Sequence, residues 1–210
     1  MKKRGLCLLL ALMMLTGTAA LATSLPGLDA LTALAKNAKI TPLALPEVFE
    51  ITYRTPDGEL TLSRDVQGNL IYTNGETAIA FVKNAEDSYF EATPTELGLV
   101  LGDLTPLTFA EVKEKIADIW NMIEPHEQNE HSAITAVFDK NAKVAGREAN
   151  RFHEAKHTGS DTGYSVAVDA VVWYTFDKET GVCLMKETAP DEDRADAEVV
   201  YECVSYTITK

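Results

Sequence analysis

From residue 47 onward, apolar and polar positions alternate with a period of two in short runs, and turn residues separate the runs. Residues 47–54 set Phe49, Ile51 and Tyr53 against Val48, Glu50 and Thr52, the pattern of a half-buried strand. Pro56-Asp57-Gly58 makes a turn, because proline presets the first corner and glycine accepts positive φ. Further strands are predicted over 60–64, 70–73, 78–83 and 87–92, with turns at Gln67-Gly68-Asn69 and Asn74-Gly75. Connections this short join antiparallel neighbours, since parallel pairs need long crossovers.

The stretch 93–106 reads as irregular, although Leu97, Leu99, Val100 and Leu101 require apolar cover. A different period follows. Thr108 and Glu111 have capping-box spacing, and Phe109, Val112, Ile116, Ile119, Trp120 and Ile123 form one stripe at helical spacing. One amphipathic helix is predicted, ended by Pro125. Strand patterns return over 134–138, 143–155, 164–176, 182–187 and 199–208, with a tight turn at 177–181. About ten strands with one inserted helix predict an α+β domain, a curved antiparallel sheet wrapped around that helix.

The chain before residue 47 reads differently. Lys2, Lys3 and Arg4 precede an apolar stretch over 6–15, and Ala20-Leu21-Ala22 offers an A-x-A cleavage site. This is the plan of a secretory signal peptide over 1–22, and the apolar run falls short of the roughly 20 residues of a membrane span. Cys7 begins the apolar region, too early for a lipidated cleavage point. Residues 23–46 carry Leu28, Leu31, Leu34 and Ala35 at helical spacing, a short helix or arm. Residues 47–210 are read as one domain. An extracytoplasmic protein, secreted or held in the cell envelope, is expected.

Charge narrows the partners. The chain is formally −13, and loss of three basic residues with the leader leaves −16. Such a surface repels phosphate backbones and anionic headgroups, which disfavours nucleic acid. Cleavage also removes Cys7 and leaves Cys183 and Cys203, symmetric about Asp193 in a predicted hairpin, so a Cys183–Cys203 disulfide is expected.

Candidate chemistry is sparse. His126 and His131, and His153 and His157, are two pairs without a third ligand fixed by spacing. His153-Glu154-Ala155-Lys156-His157 fits the zinc-protease string, but that motif works on a helix and this segment reads as a strand. Surface histidines, with no metal and no cofactor, are the simpler account. No nucleophile elbow or glycine-rich phosphate loop appears, and no carboxylate pair stands out. A non-enzymatic protein is expected. A curved sheet closed by a helix leaves a concave apolar face, packed solid or open to a ligand. Phe49, Ile51, Tyr53, Phe81, Tyr89, Trp120 and Trp173 are the candidate lining residues, with core packing as the competing role for each.

Three passages taken together resemble a known family: the meander FEITYRTPDGELTLSRDVQGNLIYTNG, the segment AKVAGREANRFHEAK, and YTFDKETGVCLMKE followed by YECVSY. Their order over most of 47–210 resembles the LolA-like superfamily of exported lipoprotein carriers, glycolipid-transfer lipoproteins and envelope-stress regulators. It is similar above all to exported proteins of Firmicutes in which a G-[IV]-C-L strand and a terminal E-C strand recur. The resemblance implies a half-barrel holding a helix, with an apolar cavity that takes acyl chains in some members. The expected function is binding of a hydrophobic or lipid-like ligand in the sheet–helix cleft. The alternative is an envelope interaction or sensor module with a packed core, contacting a protein partner.

Overall fold

The computed structural model describes residues 41–75, 77–125, 132–133, 139–159, 166–190 and 194–209. The leader, the helix proposed within 23–46, the strand over 134–138, and His126 and His131 fall outside them, as does the side chain of His157.

The described chain is a curved, open, antiparallel sheet with two short helices. It opens with β1 (Val48–Thr55), β2 (Gly58–Arg64), β3 (Leu70–Asn74), β4 (Thr77–Lys83), β5 (Tyr89–Thr95) and β6 (Gly98–Leu101). Helices α1 (Phe109–Lys115) and α2 (Ala117–Ile123) follow. The remaining strands are β7 (Ser132–Ala133), β8 (Asp139–Val144), β9 (Arg147–Gly159), β10 (Val166–Asp177), β11 (Cys183–Ala189) and β12 (Glu198–Thr209). Spatial order runs β6-β5-β4-β3-β2-β1-β12-β11-β10-β9-β7, with β8 on β9. The last strand therefore lies beside the first and joins the two meanders.

The period-two pattern sets the buried face. Ile51 stands opposite Leu62, Leu62 opposite Tyr72, and Leu70 opposite Phe81. Across the central seam Ile51 faces Tyr206 and Tyr53 faces Cys203. These residues form one apolar face, and Val112, Ile116, Ile119 and Ile123 lie against it without measurable exposure.

Among the described residues there are twelve strands against the expected ten or so, and β6 lies in a stretch read as irregular. The expected single helix is corrected to two. Ile116 leaves helical geometry (φ −116°, ψ 31°) at their junction. The cause lies in Asp118. Its Oδ1 takes the amide of Ile119 at 2.8 Å, which an unbroken helix would give to the Lys115 carbonyl, and its Oδ2 accepts the Tyr72 hydroxyl. The stripe still faces the sheet, because α2 packs on β2 and β11.

The predicted capping box is present. Thr108 Oγ1 accepts from the Glu111 amide at 3.3 Å, and Glu111 Oε2 accepts from the Thr108 amide at 2.7 Å. Thr108→Ala is expected to cost about 1 kcal/mol, read as a lower urea midpoint at unchanged slope. A change in slope would show that the cap orders more than this helix end.

Candidate functional site

The sheet–helix interface is the expected cleft, and most of it is solid. Ile51, Tyr53 and Phe81 are sealed inside, filling the space between the helices and β1–β4. Tyr53 also donates from its hydroxyl to the Cys183 carbonyl at 2.5 Å, tying β1 to β11 through the core. Burial, with the neighbouring Cys183, Cys203 and Tyr206, raises this phenol well above its ordinary pKa, so it stays neutral.

Openings remain at the margins of the interface. One is a pocket of about 200 Å³ lined by Leu45, Phe49, Arg64, Leu70, Lys83, Asp87, Tyr89, Phe109 and Trp120. Its apolar wall is aromatic: the ring centroids of Tyr89 and Phe109 are 5.8 Å apart, and Phe109 meets Trp120 edge-on at 5.4 Å. Lys113 Nζ lies over both Phe109 and Trp120, at 5.8 and 5.1 Å. The rim is charged. Lys83 pairs with Asp87 at 2.7 Å, which raises the lysine pKa and lowers that of the aspartate. Arg64 forms no ion pair among the described residues.

The second opening is larger, about 400 Å³, and more polar. The β1–β2 turn (Thr55, Pro56, Asp57 and Gly58) walls it with Leu60, Asn74, Asp118, Met122, Val200 and Tyr201. Tyr72 donates to Asp118 at its edge, and burial followed by that carboxylate pushes the Tyr72 pKa up to about 12. Tyr201 reaches across the core to the Met122 carbonyl (3.2 Å) and the Cys183 sulfur (3.4 Å).

Of the candidate lining residues, Phe49, Tyr89 and Trp120 reach the smaller pocket, while Ile51, Tyr53 and Phe81 serve the core. Trp173 belongs to a separate cluster with Val171 and Ala189, whereas its strand neighbours Val172 and Tyr174 join the main core. Strand alternation thus turns Trp173 to the opposite face of β10. There it meets His153 at 4.7 Å between ring centroids, so His153 is a buried aromatic neighbour. Nearby, Arg194 grips Glu187 through bonds of 2.6–3.0 Å, and Arg151 donates to Thr175 at 3.1 Å. Among the described residues no group of three or more His, Cys, Asp or Glu could hold a metal ion.

Leu45, Arg64, Leu70, Lys83, Asp87 and Phe109 also line the smaller pocket and are not among the candidate residues. Phe109 was visible in the helical stripe. Placing Arg64 and Lys83 on the same sheet face required the register, which sets Arg64 opposite Leu70 and Lys83 opposite Tyr89.

The expected disulfide is corrected: Cys183 and Cys203 are free, buried thiols. A bulge in β12 explains the miss. Glu187 pairs with Val199 but Lys186 pairs with Tyr201, so Val200 is an extra residue. The symmetry about Asp193 holds only on the turn side of that bulge. Beyond it the register slips by one, Met185 faces Glu202, and Cys203 comes level with Leu184. Burial pushes the Cys183 thiol up to about 11 and the Cys203 thiol up to about 12. Native protein at pH 8 is expected to resist iodoacetamide at both positions, with two adducts within 23–210 appearing only after denaturation. Rapid alkylation of the native protein would place the thiols at the surface.

No protein-family model and no curated protein matches the chain.

Proposed function

We propose that this is an exported, non-enzymatic, LolA-like protein that holds the apolar part of a small amphiphile at the mouth of its sheet–helix cleft. The observation that supports this reading is the aromatic pocket of about 200 Å³ between Phe109, Trp120 and the sheet, with Arg64 at its rim. Apolar walls favour a hydrocarbon group, while the Arg64 guanidinium, which forms no ion pair among the described residues, favours an acidic head held at the surface. The volume lies below the roughly 300–1,000 Å³ of pockets for drug-sized ligands. A short chain fits whole; a longer one enters by one end.

Trp120 provides the test. The chain has two tryptophans, so Trp173→Phe leaves Trp120 as the sole emitter. Titration with a brominated fatty acid is expected to quench Trp120 saturably, with binding about tenfold weaker in Phe109→Ala. Quenching that stays linear and ignores Phe109→Ala would overturn the proposal. The interaction-module reading is favoured by a different feature, the exposed edge strand β6.

A further inference from the structure

The open sheet ends on β6, and no strand flanks its outer side among the described residues. All four residues of this strand are exposed. Leu99, Val100 and Leu101 expose 45%, 57% and 51% of their surface, and the adjoining Leu97 and Leu104 are exposed still further. Strand alternation sends Leu99 and Leu101 to one face and Val100 to the other, so the apolar surface wraps the edge. Natural edges are normally blunted by charge, proline or a cover. The backbone of this one is also open. Gly102 donates to the Glu91 carbonyl at 3.0 Å, and antiparallel alternation then turns the N–H and C=O groups of Leu99 and Leu101 outward.

Three occupants compete for this edge. A lipid surface would cover the leucines but leave the outward backbone groups without partners in hydrocarbon. A second copy would satisfy the backbone in the register that sets outward Leu99 against outward Leu101. That register puts Leu97 opposite Asp103 and Glu96 opposite Leu104, so Glu96 of one copy and Asp103 of the other crowd each end of the pair. Each copy also carries a formal charge of −13. A peptide strand with an apolar centre and basic ends meets every requirement. Its main chain completes the ladder, its side chains cover both faces of β6, and its cations sit beside Glu96 and Asp103. We propose that β6 is a strand-addition site for an extended, apolar segment with basic flanks, supplied by another polypeptide. This site is separate from the aromatic pocket, so either can fail without the other.

The probe is a fluorescein-labelled peptide of alternating valine and threonine with two lysines at each end, compared with the same core flanked by glutamates. Anisotropy titrations are expected to show the lysine-flanked peptide binding at least about tenfold tighter. Leu101→Pro removes an outward donor without touching the bonds to β5 and is expected to abolish binding. Reversing both flanks, with Glu96→Lys and Asp103→Lys, keeps every β6 amide and carbonyl, gives up only the bonds from Thr105 to Asp103 (3.0 and 3.2 Å), and is expected to invert the peptide preference. Circular dichroism and thermal melting establish that each variant folds. Equal binding of the two peptides, or binding indifferent to both variants, would overturn the proposal. So would a dimer in light scattering, or flotation with neutral phosphatidylcholine vesicles, that Leu101→Pro removes.

Discussion

Asp177→Ala is expected to lower stability by about 3–5 kcal/mol, the cost of breaking a buried ion pair from one side. The carboxylate closes the β10–β11 turn and gathers five donors. Arg147 gives two hydrogen bonds, Nε at 2.6 Å and Nη2 at 3.0 Å. The Thr180 amide and hydroxyl each donate at 2.9 Å, and the Glu179 amide at 3.2 Å. Only 2% of Asp177 is exposed, so the alanine variant leaves the guanidinium and two amides facing an apolar methyl. Arg147 retains Glu179 at 3.0 Å and its stack on the Tyr206 ring, which partly offsets the loss. Urea denaturation measures the effect. A change under 1 kcal/mol would mean that the turn holds without its carboxylate.

The same group sets an acid response. Burial opposes ionisation of Asp177, but Arg147 and the Thr180 donors outweigh it and hold the pKa below the ordinary value. A carboxylate lowered in the folded state contributes fully above its unfolded pKa, about 3.9, and loses that contribution as pH falls through the folded value. Native protein should therefore lose stability below about pH 4, and Asp177→Asn should flatten that part of the profile.

How far the sequence led depends on the range of each interaction. The β1–β2 and β3–β4 turns were legible because Pro56-Asp57-Gly58 and Asn74-Gly75 carry their geometry locally. The capping box was legible for the same reason. The helix break was hidden, since it depends on Tyr72 engaging Asp118 from a strand 46 residues away in sequence. The pairing of β1 with β12 was equally hidden, because alternation shows which face is buried but not which strand lies alongside. The cysteines show how sensitive such reasoning is: one inserted residue, Val200, ended an otherwise sound symmetry argument. The pocket was half visible. Its aromatic wall follows from the alternation in β1 and the helical stripe, whereas its Arg64 rim emerges only from the registry of β2 with β3.

Gly181→Ala tests the other half of the β10–β11 turn, and a loss on the order of 2–4 kcal/mol is expected. Two penalties coincide there. Gly181 has φ +72°, a left-handed conformation that costs an alanine roughly 1–2 kcal/mol. A methyl at this position would also stand 2.4 Å from the Thr41 carbonyl oxygen and 2.9 Å from that of Pro42. Those atoms are backbone, so relief requires the chain at 41–44 to lift. Lifting it would sacrifice the bond from the Ala44 amide to the Thr180 carbonyl (2.9 Å) and that from the Thr41 hydroxyl to the Lys178 carbonyl (3.1 Å). Gly75 separates the two penalties. It has a similar φ of +57°, but nothing lies within 4 Å of its ideal Cβ. Gly75→Ala should therefore show the conformational cost alone, about 1 kcal/mol. Any excess in Gly181→Ala measures how firmly residues 41–44 are pressed onto the turn. Because Asp177 holds that turn from below, Asp177→Ala and Gly181→Ala share partners and should combine less than additively. Equal losses in the two glycine variants would show that the packing of 41–44 contributes nothing to stability.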